Sequence, residues 1–184
     1  MRIAVLGWGS LIWDYTEITT RWKRTKLISF PLEFMRLSNG VRLTLVIDER
    51  GEDNNLYYAT SNYENLNKAI HSLRIREKTT IKNIGYLIYE SEKYRSFIDL
   101  EREKTGVQIK HKLLTFMKIH KYDACIWTDL RSNLSTKEWL KLVSDNDFLM
   151  SKTVFDYIRK AIENGIETKL SAIIDENEEA EDEE

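Results

Sequence analysis

One cysteine, one proline and seven glycines in 184 residues leave this chain little to staple or punctuate it. With Cys125 alone, an internal disulfide framework is impossible, and a reducing, cytoplasmic setting is expected. No apolar run approaches the roughly 20 residues of a membrane-spanning helix, so no membrane partner is expected. The opening Met1–Leu6 segment is too short an apolar stretch for a signal peptide and reads as a first strand. Histidine is scarce as well. His71, His111 and His120 share no ligand spacing and Cys125 stands apart from them, so no metal is expected. Inside the apolar run Ala124–Trp127, Cys125 is a poor nucleophile, because buried thiols are inert.

Charge is nearly balanced at -2, but it is unevenly spread. Residues 175–184 hold eight carboxylates and no Lys or Arg, which leaves 28 basic against 22 acidic residues, about +6, on the rest of the chain. Such a tail reads as a disordered, solubilising segment, with the shielding of a basic surface on the body or on a partner as the sharper alternative. The basic residues are scattered (Arg21, Lys23, Arg24 and Lys26; Lys110, Lys112, Lys118 and Lys121) and form no nucleic-acid motif, so no nucleic-acid partner is expected. The length suits one domain over residues 1–174 followed by the tail 175–184.

What is present is a sequence of hairpin-like strands followed by helices. Asn39-Gly40 is a strong hairpin signal, and Val41, Leu43, Leu45 and Ile47 alternate onto one face behind it. Pro31–Leu37, before the turn, alternates less cleanly. Asp48–Asn55 reads as a turn and Leu56–Thr60 as a strand. Leu66, Ala69, Ile70 and Leu73 form the buried stripe of a helix that Ser61 or Asn62 would cap and that ends near Arg74–Glu77. Ile84–Tyr89 and Ala124–Trp127 are short strands, and Ile109, Leu113, Leu114 and Met117 mark a helix between them. Ser135-Thr136-Lys137-Glu138 is a capping box, and Ser151 opens a further helix that Gly165 stops. Leu170–Ile174 is expected to be a last strand. This order predicts an α+β fold: a small mixed or antiparallel β-barrel flanked by helices.

The stretch Leu6-Gly7-Trp8-Gly9-Ser10-Leu11-Ile12-Trp13-Asp14 is the chemically suggestive one. A strand runs into two glycines and a serine, which is how a backbone anion cradle is built. It is not a dinucleotide fingerprint, because Ile12 takes the third glycine's place and a hairpin follows instead of a strand–helix–strand unit. Ile12 also removes it from the G-x-S-x-G nucleophile pattern. Glu77 is the second suggestive residue. At the end of an amphipathic helix a carboxylate can be partly buried, which raises its pKa towards that of a general base. A glutamate beside Arg and Lys is more often a solvated ion pair.

Gly7-Trp8-Gly9-Ser10-Leu11-Ile12-Trp13 resembles the G-Y-G-S-L-I/M-W signature of the gamma-glutamylcyclotransferase-like superfamily, particularly its ChaC-type branch. Leu73–Lys78 is similar to the L-x-x-R-E-K segment that carries that family's acidic residue, and Phe34–Val46 and Trp127–Leu130 resemble a bacterial subgroup. The resemblance implies a cofactor-free enzyme acting on a small γ-glutamyl substrate. Backbone amides around Trp8, Gly9, Ser10 and Leu11 would hold the α-carboxylate, and Glu77 would act as general acid/base while the substrate α-amine closes on the γ-carbonyl to release 5-oxoproline. Arg36 and Asp129 are secondary candidates for lining the pocket. Trp8 stands where the family usually has Tyr, and an indole N–H cannot accept a hydrogen bond in a hydroxyl's place. A non-catalytic module that sequesters a small anionic ligand is the alternative on the same fold.

Overall fold

A computed structural model describes residues 1–14, 17–38 and 42–174. The Asn39-Gly40 turn, Val41 and the acidic tail 175–184 lie outside the described residues. Seven strands form one mixed sheet: β1 (Ile3–Gly7), β2 (Lys23–Ser38), β3 (Arg42–Ile47), β4 (Glu52–Thr60), β5 (Ile84–Ile88), β6 (Tyr94–Arg95) and β7 (Ala124–Thr128). Their order is β3-β2-β4-β1-β7-β5-β6. The α+β class is therefore as expected, but the sheet is open rather than closed into a barrel, with β3 and β6 as edges among the described residues. An edge strand of two residues, β6, presents little unpaired backbone and blunts that side of the sheet.

The chain separates into two compact units, one built from the described residues of Met1–Phe30 and Asn55–Leu130, the other from those of Pro31–Asn54 and the region from Arg131 onward. In the first unit β1 is buried along its whole length, because it pairs antiparallel with β4 and parallel with β7. β7 pairs antiparallel with β5, and β5 with β6. Helix α1 (Ser10–Trp13) follows β1 after two residues. Helix α2 (Leu66–Arg76) lays Ala69, Ile70 and Leu73 against Ile3, Val5, Leu11, Ile84 and Ile126. Its cap is Asn65, whose side chain accepts the Lys68 N–H at 3.1 Å, not Ser61 or Asn62. Those two are used elsewhere: Ser61 bridges to Thr19, and the Asn62 amide donates to the Glu17 carbonyl at 2.7 Å. Helix α3 (Lys104–His120) buries Ile109, Leu113, Phe116 and Met117.

In the second unit, β2 and β3 pair antiparallel with a register shift between Glu33 and Arg36. That irregularity explains the unclean alternation of Pro31–Leu37. Leu32, Glu33, Phe34 and Met35 are all buried in succession, which a regular strand with one wet face does not allow. The turn after β3 is shorter than the sequence suggests. Asp48 closes it by accepting the N–H groups of Arg50 and Gly51, and β4 already begins at Glu52. Polar Asn54 belongs in a strand because its buried side chain exchanges two hydrogen bonds with the backbone of Glu167 at 2.7 Å each. Helices α4 (Thr136–Val143), α5 (Asn146–Leu149) and α6 (Lys152–Glu163) complete this unit, and α4 carries the expected capping box. Residues 169–174 are helical, not a strand. Thr168 and Ser171 cap that turn reciprocally, each hydroxyl accepting the other's backbone N–H, at 2.7 and 3.0 Å.

Candidate active site

The loop after β1 is shaped by its two glycines for different reasons. At Gly7 a Cβ would lie 2.7 Å from the Trp22 ring and 3.2 Å from Ile12, so the residue is small because side chains close over it. Gly9 has φ 59° and ψ -149°, a backbone conformation essentially reserved for glycine. It turns the chain from β1 into α1, whose first bonds run from the Ile12 N–H to the Gly9 carbonyl and from the Asp14 N–H to the Ser10 carbonyl, both 3.0 Å. Ser10 and Leu11 thus stand in the first turn of α1, where N–H groups have no intrahelical acceptor.

The side chains of this loop divide sharply. Leu11 is buried in the core with the inward stripe of α2. Trp8 is 7% exposed, with its ring edge-on to Phe30 at 5.8 Å, and Phe30 in turn meets Trp127. Both anchor the loop as core residues. Ser10 alone presents a polar side chain.

Arg76, the last residue of α2, ties this loop to Glu77. Its Nη2 donates to the Ser10 carbonyl at 2.6 Å, and its Nη1 donates to Ser10 Oγ at 3.2 Å and to Glu77 Oε1 at 2.5 Å. Asp14 adds a carboxylate 3.6 Å from Nη2. The Arg76 and Glu77 side chains are 18% and 16% exposed, so the pair is only partly screened by water. Glu77 owes its position to the way α2 stops. Lys78 adopts φ 49°, its N–H bonds the Ile75 carbonyl, and the Thr79 N–H bonds the Arg74 carbonyl, the reciprocal pattern of a Schellman cap. A lysine in this left-handed position costs on the order of 1 kcal/mol relative to glycine.

The remaining candidates lie elsewhere. The buried Asp129 carboxylate accepts from Trp127 Nε1 at 3.0 Å, Ser96 Oγ at 3.1 Å and the Phe97 N–H at 2.7 Å, which makes it a holder of the β6–α3 connection. Arg36 belongs to the second unit and donates to the Arg131 carbonyl at 2.8 Å. Cys125 is fully buried, which pushes its thiol pKa far up and keeps it unreactive. No group of three or more metal-ligating side chains occurs among the described residues, and no helix there is long and apolar enough to cross a membrane. Two hollows among the described residues can be compared with these candidates. One is a shallow hollow of about 420 Å³ on the outer side of α2, lined by Tyr63, Asn67, Lys68, His71, Ser72 and Ile75. The other belongs to the second unit, and neither is lined by Trp8–Leu11 or Glu77.

No family model, curated protein or solved structure matches the chain.

Sequence reasoning missed Arg76. Leu73-Arg74-Ile75-Arg76-Glu77 offers two arginines beside Glu77, and only the end of α2 determines which one reaches back to Ser10. The chemical content of the site is one guanidinium fork, the carboxylates of Glu77 and Asp14, one hydroxyl and the first amides of α1. That set suits recognition of a planar anion with a proton acceptor at its side.

Proposed function

We propose that this protein is a cofactor-free γ-glutamyl cyclotransferase. The observation that carries the reading is the shared guanidinium: Ser10, at the mouth of the glycine loop, and Glu77, the acidic candidate 67 residues later, both bond Arg76. In this reading the amides at Gly9, Ser10 and Leu11 and the Ser10 hydroxyl receive the substrate α-carboxylate. Glu77 takes a proton from the α-ammonium, the freed amine attacks the γ-carbonyl, the γ-carbonyl C–N bond breaks as Glu77 returns that proton to the departing amine, and the cyclised nitrogen loses its second proton to solvent. The nucleophile belongs to the substrate, so the protein's task is to hold a flexible chain in its cyclising geometry and to move one proton. Arg76 holds Glu77 in place between these steps.

A second reading has one observation in its favour. Glu77 already forms a close ion pair with Arg76, so its carboxylate is engaged by a protein cation rather than left open to a substrate amine. The same loop would then serve as a binding module for a small anion, without turnover.

One experiment separates them. The full chain is incubated with a panel of γ-glutamyl amines and peptides, and 5-oxoproline is measured by chromatography. Turnover is expected, with a loss of at least ~100-fold in Glu77→Gln, the usual contribution of a general acid/base. Turnover unchanged in Glu77→Gln would sink the assignment of Glu77, and binding without 5-oxoproline across the panel would favour the sequestering module.

A further inference from the structure

Arg76 stands between two carboxylates, and the cyclotransferase reading so far uses only one of them. Glu77 Oε1 meets Nη1 at 2.5 Å, while Asp14 Oδ2 lies 3.6 Å from Nη2, beyond hydrogen-bond length but within reach of an ion pair. Among the described residues no other carboxylate lies within ion-pair distance of this guanidinium. The backbone holds Asp14 at this spot. Its own N–H and Arg76 Nη2 donate to the same oxygen, the Ser10 carbonyl, at 3.0 and 2.6 Å. The Asp14 side chain is 59% exposed, against 16% for Glu77, so it can turn without disturbing the core. Nη1 also donates to Ser10 Oγ at 3.2 Å, so the guanidinium stays tied to the loop through Ser10 when Glu77 lets go.

On the cyclotransferase reading, on which this inference rests, Glu77 becomes neutral when it accepts a proton from the substrate α-ammonium. Arg76 then loses its anionic partner while its side chain is only 18% exposed, and a partly buried cation left without a counter-charge is unfavourable. The substrate α-carboxylate is already held by the loop amides and the Ser10 hydroxyl. We propose that Asp14 is a positioning residue for the cyclisation: it closes onto Arg76 Nη2 while Glu77 holds the proton, and it moves away once Glu77 has returned that proton to the departing amine. Asp14 exchanges no proton itself. A charge-assisted bond of about 2.8 Å needs a shift of roughly 0.8 Å, within reach of one side-chain rotation. Arg76 is thus never without a carboxylate, and Glu77 can leave it to meet the substrate.

Steady-state kinetics of 5-oxoproline release tests this. The substrate is the γ-glutamyl compound that the parent turns over fastest, and the full-length parent is compared with Asp14→Asn, Asp14→Glu and Glu77→Gln. Asp14→Asn keeps the shape of the side chain and removes its charge. It is expected to lower kcat at least ~5-fold with KM within about twofold of the parent, because the bond is made only after substrate has bound. Asp14→Glu restores the carboxylate at an exposed position and recovers most of the lost kcat. An unchanged kcat in Asp14→Asn overturns the proposal. So does a loss confined to KM, which would make Asp14 a substrate contact, and so does Asp14→Glu no more active than Asp14→Asn. In each of these cases, turnover that still collapses in Glu77→Gln leaves the cyclotransferase reading standing. No 5-oxoproline from the parent on any compound removes that reading and this proposal together.

Discussion

Two residues show how much a single position decides. Gly9 bears the conformation that turns β1 into α1, and the loop's amides have their direction only because that turn is made. Gly9→Ala forces an L side chain into φ 59°, at a cost of about 1–3 kcal/mol. We expect a lower denaturation midpoint together with a disproportionate loss of ligand binding or turnover. Unchanged stability would mean that the turn is made otherwise. Glu33 is buried beside the strand irregularity, and burial outweighs its bonds from Phe34 and Lys169, so its carboxyl pKa is raised above the ordinary 4.5. The sign follows directly. A folded pKa above the unfolded one means that protonation of Glu33 supports the fold fully below about pH 4.5, and that this support is lost as pH rises through the folded midpoint. Carbon-13 NMR of the Glu33 carboxyl is expected to give a midpoint above 4.5, and a midpoint at or below that value contradicts the burial argument.

At the scale of the element, α4 is the clearest case. Ser135 and Glu138 exchange bonds, the serine hydroxyl accepting the Glu138 N–H at 3.3 Å and the glutamate Oε2 accepting the Ser135 N–H at 2.8 Å. The buried residues of this two-turn helix are Trp139 and Val143, so its start depends on the cap more than a long helix would. Ser135→Ala should cost about 1 kcal/mol in a chemical denaturation series. The bonds from the Ser135 side chain and backbone also lower the pKa of Glu138 below 4.5. Its contribution is present above pH 4.5 and is lost as pH falls through the lowered value, so the difference between parent and Ser135→Ala should shrink on acidification. A difference that stays constant down to pH 2–3 would show that Glu138 plays no part in the cap.

For the molecule as a whole, Cys125 is a built-in reporter. It sits in β7 between β1 and β5, fully buried, with burial suppressing its thiolate. Opening that strand means breaking ladders on both sides, so the thiol should react only through large-scale unfolding of the first unit. Labelling with a thiol reagent is therefore expected to be negligible in the native protein and stoichiometric in denaturant, with a midpoint that follows the circular-dichroism transition. Rapid labelling without denaturant would refute the placement of β7 inside the sheet, between β1 and β5.

Much of this was legible from local pattern. The buried stripe of α2, the alternation of β3 from Arg42 to Leu45 (Val46 is buried as well, so it is not strict to the end), the capping box of α4 and the strand β7 each repeat a short periodicity or a short-range polar exchange, and such signals are complete within a few residues. The stretch Gly7–Leu11 was recognisable for the same reason, since glycine and serine after an apolar strand restrict what the backbone can do. What the local pattern misjudged depended on distant partners. Asn54 enters a strand because Glu167 meets it, 169–174 is helical because Thr168 and Ser171 cap each other, and the sheet stays open because strand order is a property of the whole chain. The same holds for chemistry. That Glu77 is an acid at a helix end is written in the sequence, but that Arg76 joins it to Ser10, and that the Trp139 N–H is buried with no acceptor among the described residues, follows only from packing. Residue type and spacing determine which groups a helix or a turn carries, and tertiary structure alone decides which of them meet, because a hydrogen bond is set by distance in space and is indifferent to separation along the chain.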